Sequence, residues 1–144
     1  MVYAKNKKAS FDYFLLEKYE TGIELIGTEV KSIRLAKLSV KEAFVRIIKD
    51  ELFILNMHIS PYEFGNINNV EETTRPRRLL MSKKEILKLK EKTKEKGLTL
   101  VPISVYAKGR YIKVEIALAK GKKNYDKRQS LKEKDINRRI DEYR

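Results

Sequence analysis

Apolar and polar positions alternate along much of the chain, and the alternation predicts strands. In "FDYFLLEKYE", which starts at Phe11, Tyr13, Leu15 and Tyr19 take one side while Phe14 and Leu16 take the other. That pattern predicts a strand with a mostly covered interior. The next stretch, "TGIELIGTEVKSIRL", mixes short-range apolar spacing with Gly22 and Gly27. It predicts a short helix over 21–26, a turn at Gly27 and a strand through Val30, Ile33 and Leu35. "AFVRIIKDELFILNMHI" predicts a hairpin turning at Asp50 and Glu51. Its second arm sets Phe53, Leu55, Met57 and Ile59 on one face and Asn56, His58 and Ser60 on the other.

The segment "PYEFGNINNVEETTRPRR", from Pro61, is polar and turn-rich and reads as an exposed loop. Ser82 and Glu85 then have capping-box spacing ahead of "ILKLKEKTKEK", and Gly97 supplies a stop. The apolar side of this helix is thin (Ile86, Leu87, Leu89), which places it on the surface of the fold. "LTLVPISVYAKGRYIKVEIALA" predicts a second hairpin, with Ile112, Val114, Ile116 and Leu118 alternating inward. Pro102 has no N–H to give a ladder, so its strand lies at an edge or is bulged there. Short antiparallel strands with one long helix predict a mainly β fold. The expected architecture is an OB-like antiparallel Greek-key β-barrel with a few short flanking α-helices and a basic C-terminal tail. Apolar alternation ends near Lys120, so the expected division is a barrel over 1–119 and a tail over 120–144.

Charge narrows the choice of partner. Lys and Arg number 33 against 20 Asp and Glu, a formal net charge of +13 in 144 residues. A surplus of that size points to a polyanion, either nucleic acid or an anionic membrane. No apolar run approaches the ~18 residues of a spanning helix. The start, "MVYAKNKKAS", is charged and lacks an apolar signal region, so a cytoplasmic protein is expected. The absence of cysteine removes disulfides, thiolate zinc sites and cysteine nucleophiles.

Enzymatic chemistry finds little support. His58 is the single histidine and has no partner at metal-ligand spacing. "GTEVKS", from Gly27, lacks the spacing and Gly-Lys pair of a phosphate loop. Glu71 and Glu72 sit near arginines in a polar segment, where solvated charge is the plain reading. The expectation is a binding protein with no catalytic residues, metal or cofactor.

RNA binding is better supported. "TRPRR" sets Arg75, Arg77 and Arg78 within four residues, where guanidinium groups can fork onto phosphates. Lys31 and Arg34 flank the expected early strand, and 8 Tyr and 5 Phe offer flat faces for bases. Each feature also has a plain structural reading: tyrosines fill cores, and basic loops are often simply solvated. In the tail, Ser130 and Glu133 repeat the capping spacing, and Ile136, Ile140 and Tyr143 share a helical face. A helix this short is marginal alone. The expected tail is loose when free and helical when docked; a plain disordered basic terminus is the alternative. Asp135, Asp141 and Glu142 weaken the case for a membrane anchor.

Five motifs together resemble the small protein B family, the tmRNA-binding proteins of bacterial ribosome rescue. They are "NKKASFDYF", "YETGIELIGTEVKSIR", "HISPY", "TRPRRLLMSKKEI" and "GKKNYDKR", in family order. The resemblance implies an OB-like barrel that binds the tRNA-like domain of tmRNA. It implies delivery of alanyl-tmRNA to stalled ribosomes with elongation factor Tu. The tail would enter the empty mRNA channel near the 16S rRNA decoding centre and fold there into a helix, and the nascent peptide would be tagged for degradation. By motif, Asn6 with Lys7, Glu20 and Leu80 match RNA-contact positions. Gly121, Lys122, Lys123, Asp126, Lys127 and Arg128 match the segment that licenses accommodation, and Tyr125 matches a position that stacks on a decoding-centre base. A monomer is expected. The competing readings are another OB-type RNA-binding translation factor or RNA chaperone, and an RNA-modifying enzyme using His58.

Overall fold

The computed structural model describes residues 1–61 and 73–122. In chain order the elements are β1 (Val2–Lys5), α1 (Ala9–Asp12), β2 (Tyr13–Ile23), α2 (Gly27–Arg34), β3 (Leu38–Ser39) and β4 (Phe44–Ile48). They continue with β5 (Glu51–Leu55), β6 (His58–Ile59), β7 (Arg77–Leu80), α3 (Lys83–Lys92), β8 (Leu98–Lys108) and β9 (Tyr111–Gly121). The fold is mainly β with a few short helices. Antiparallel pairing runs from β8 to β4, β5, β7, β2 and β9, and β9 pairs back onto β8. β1 adds to β8, while β3 and β6 form a small separate pair.

The second hairpin forms as its alternation predicts. β8 and β9 pair along their full length, and Ile112, Val114, Ile116 and Leu118 enter the main core. The register slips between Pro102 and Ser104, a bulge where proline cannot donate. α3 begins at Ser82, whose hydroxyl accepts from the Glu85 amide at 3.3 Å. Ile86 and Leu89 are buried while Leu87 stays exposed, so the helix lies on the sheet along a narrow seam.

The segment 21–35 corrects the sequence reading. Residues 21–23 continue β2, and 27–34 form α2. Thr21 favours the strand because its hydroxyl, buried, donates to the Val114 carbonyl at 2.9 Å. Val30 and Ile33, three apart, share a helical face and not a strand face, and the Glu29 carboxylate accepting from the Ile26 amide at 3.0 Å starts the helix. The first hairpin turns one residue earlier than expected. Lys49 and Asp50 both take left-handed φ, 51° and 62°, the twist a two-residue hairpin loop requires. Its second arm does not keep one alternation. Leu52 and Ile54 are buried in β5, and so are the expected Leu55, Met57 and Ile59, with Asn56 at φ 60° within the change of face. Phe53 is only half-buried. Tyr13, Leu15 and Tyr19 also part company. A register shift between Leu15 and Glu17 leaves Tyr13 and Leu15 on a small cluster with Ala9, Val101, Ile103, Ala117 and Ala119, while Tyr19 joins the main core. Among the described residues, no helix is long and apolar enough to cross a membrane.

Candidate nucleic-acid interface

Cross-strand partners share a face of a sheet, and the register of β7, β2, β9, β8 and β1 builds one outer surface. One row runs Leu80, Gly22, Lys113, Tyr106, Val2. The next, two residues along β2, runs Glu20, Glu115, Ser104, Lys5. Leu80 and Glu20 therefore stand on neighbouring rows, and Asn6 follows Lys5 at the far edge. Leu80, Glu20 and Lys5, far apart in sequence, share one face.

Each is held differently. Leu80 is 43% exposed and lies over Gly22, where an added Cβ would come within 3.2 Å of the Leu80 Cβ. Glycine at 22 thus sets how low the leucine sits. The Glu20 carboxylate accepts from the Tyr106 hydroxyl and pairs with Lys108 at 3.1 Å. Those two bonds hold its carboxyl below the ordinary range, so it stays an acceptor at neutral pH. Tyr106 moves the opposite way: desolvation, then the bond to Glu20, pushes its hydroxyl up. The half-buried Asn6 side chain donates to the Pro102 carbonyl at 2.9 Å, and its amide donates to the Ile103 carbonyl at 2.7 Å. This anchors the chain entering α1, with Lys7 exposed beside it.

The tip of the β8–β9 hairpin borders this face and was not singled out from sequence. Lys108, Gly109, Arg110 and Tyr111 are exposed, Tyr111 at 66%, with the Lys113 ammonium 5.9 Å from the Tyr111 ring centroid. The sequence signal was "KGRYIK": a turn glycine flanked by cations and an aromatic. Arg34, exposed on α2, donates to the Arg110 carbonyl at 3.0 Å and joins helix to tip. Lys31 is exposed on the same helix.

The arginine cluster has a different role from the one its sequence suggests. Arg77 is 1% exposed. Its guanidinium donates to Glu29 at 2.7 Å and to the carbonyls of Met57, Thr73 and Arg75 at 2.7, 3.1 and 3.3 Å. Arg75 forks onto the same Glu29 carboxylate. Burial works against the charge on Glu29, but the bonds from Arg75, the Ile26 amide and Arg77 outweigh it, and its carboxyl titrates below the ordinary range. The structure therefore places Arg77 inside as a clamp between α2, β6 and β7 rather than on a phosphate-facing surface. Sequence reasoning missed Glu29, which is buried with two arginines 46 and 48 residues downstream. Arg78 is half exposed and pairs with Glu24 at 2.6 Å and Glu51 at 3.5 Å. His58 is exposed on β6.

Gly121 ends β9 opposite Tyr13. Lys122 donates its amide to the Asp12 carbonyl at 3.2 Å and its ammonium to the Ser10 carbonyl at 2.8 Å. Lys123, Tyr125, Asp126, Lys127, Arg128, Ile136 and Ile140 lie outside the described residues.

Residues 3–144 match the family described as SmpB protein. The chain belongs to the SmpB family. An SsrA-binding protein of Fusobacterium nucleatum is 57% identical over 140 residues, covering 97% of this chain and 94% of the relative. One from Thermosipho melanesiensis is 54% identical, covering 99% and 97%. A solved chain from work described as "tmRNA-SmpB: a journey to the center of the bacterial ribosome" superposes with a TM-score of 0.69 at 47% identity, covering 85% of this chain and 86% of that one. The SmpB match spans the described fold and continues through the basic C-terminal segment.

Proposed function

We propose that this chain is the tmRNA-binding protein of trans-translation. It binds the tRNA-like domain of tmRNA and, with elongation factor Tu, delivers alanyl-tmRNA to stalled ribosomes. There the nascent peptide is tagged for degradation and the ribosome is released. The observation that carries the reading is the register that gathers Leu80, Glu20 and Lys5 on one outer sheet face, with Asn6 following Lys5 at its edge and the cationic hairpin tip bordering it. The ring of pairings is read as an OB-like Greek-key barrel over 1–119, and 120–144 as a tail that senses an empty mRNA channel. The likeness to the solved neighbour is consistent with the first, and its printed description, with the relatives' names, supports a role at tmRNA and the ribosome.

The mechanism follows from the chemistry of that face. Lysines and arginines at the tip neutralise phosphates, giving affinity without sequence preference. Glu20, kept ionised, accepts from base or ribose donors, and Leu80 supplies an apolar contact. Such a surface recognises folded RNA shape. Its role is that of an adaptor in the cytoplasm, with no catalytic step of its own. Competing a tRNA-like RNA against unstructured RNA of equal length tests the reading. It predicts strong preference for the former; equal affinity would favour a general RNA chaperone instead.

A further inference from the structure

The end of β9 away from the hairpin tip carries a second set of exposed aromatics that the proposed tmRNA face does not use. Phe11 is 77% exposed and Phe14 54% exposed, with Leu16 at 52%. Isolated exposed apolar residues are ordinary, but two exposed phenyl rings three residues apart, one of them against a lysine, ask for an occupant. Phe14 pairs in register with the exposed Lys120, so both project from one side of the sheet. The Lys122 ammonium lies 5.3 Å from the Phe14 ring centroid, held by the Ser10 carbonyl. Phe11 stands on the α1 turn whose Ser10 and Asp12 carbonyls bind Lys122. Lys7 and Lys8, just before α1, are also exposed.

We propose that Phe14, with the Lys122 ammonium against its ring and Lys120 paired across the strand, is a stacking platform for an unpaired nucleobase of ribosomal RNA. Flat apolar faces ringed by cations suit a base and its phosphate, whereas an apolar protein segment would gain nothing from the lysines. The platform is separated from the tip by the length of β9, roughly 30 Å at ~3.3 Å per residue. One folded RNA domain seated on the outer face leaves it free. It also surrounds the point where the C-terminal segment departs, so its base belongs to the RNA that segment meets. This rests on the proposed function in assigning that RNA to the ribosome.

The chain has no tryptophan, so Phe14→Trp adds a single reporter that can itself stack. The full chain, with Phe14→Trp or Phe14→Ala, is titrated with small ribosomal subunits and, separately, with the tRNA-like domain of tmRNA. The expected results are quenching of the introduced indole's emission by the subunits alone and a roughly 5- to 100-fold loss of subunit affinity in Phe14→Ala, the range of one base stack. Affinity for the tRNA-like domain stays within about twofold, as the outer face is untouched. Unquenched emission, a blue shift without quenching as on apolar protein, or an equal loss toward the tRNA-like domain would each overturn the platform. If the unmodified chain fails to prefer the tRNA-like domain, the proposed function falls, and subunit-dependent quenching still decides whether the platform binds ribosomal RNA.

Discussion

Two short runs in this chain each carry three cations and have opposite fates. "RPRR", at Arg75 to Arg78, gives its guanidinium groups to the interior and to neighbouring carboxylates. "KGRYIK", at Lys108 to Lys113, keeps Lys108, Arg110 and Tyr111 exposed on a hairpin tip beside the sheet face that holds Glu20 and Leu80. The difference lies in where the acids are. Glu29 reaches the first run from α2, and Glu24 and Glu51 flank it. Among the described residues, the one acid paired with the tip is Glu20, which Lys108 pairs with and Tyr106 bonds. A cationic run is an RNA signal only when the fold brings it no buried anion. The first run stabilises; the second is free to bind.

The contrast breaks most visibly at Arg77. Arg77→Ala strands the Glu29 charge and several carbonyls, and should cost about 3–5 kcal/mol in urea denaturation. A loss under about 1 kcal/mol would put the arginine in the same class as the tip. The pH dependence sharpens the point. The folded Glu29 carboxyl is held below its ordinary value near 4.5, so its stabilisation is present above that value and fades as pH falls through the lower folded one. Glu29→Gln should flatten that acid limb of the stability curve, at the cost of a lower plateau at neutral pH.

On the binding side, Gly22→Val should lift Leu80 off the sheet face and weaken tRNA-like RNA binding about tenfold, read by filter binding, for a stability loss of about 1–2 kcal/mol. Unchanged affinity would remove Leu80 from the RNA-binding surface. The smallest effect belongs to Arg78→Ala. Its pairs with Glu24 and Glu51 are solvent-exposed, so denaturation should shift by about 0–1 kcal/mol. A larger loss would mean that the rim of the first run holds the fold together as its centre does.

How much of this was legible in the sequence depended on distance along the chain. The β8–β9 hairpin, the irregularity at Pro102 and the start of α3 at Ser82 were legible because their causes are local: alternation, a missing donor, a hydroxyl three residues before Glu85. The segment 21–35 was not. Ile33 and Leu35 fit a strand while Val30 and Ile33 fit a helix, and what decides is Thr21 meeting Val114 and Glu29 meeting Arg75 and Arg77. The same holds for the candidate site. Glu20, Leu80 and Asn6 entered through motif resemblance, and only strand register shows that Glu20 and Leu80 share a face with Lys5, next to Asn6. Arg77 read as surface because its burial rests on a carboxylate 48 residues away.

The salt dependence of tRNA-like RNA binding tests the central claim most directly, measured on the unmodified chain and on Lys108→Ala/Arg110→Ala/Lys113→Ala. Release of phosphate counterions by the tip predicts a log–log slope shallower by about 1 for each phosphate-binding cation removed, with the denaturation midpoint nearly unchanged. An unaltered slope and affinity in that variant would contradict the assignment of the hairpin tip to RNA.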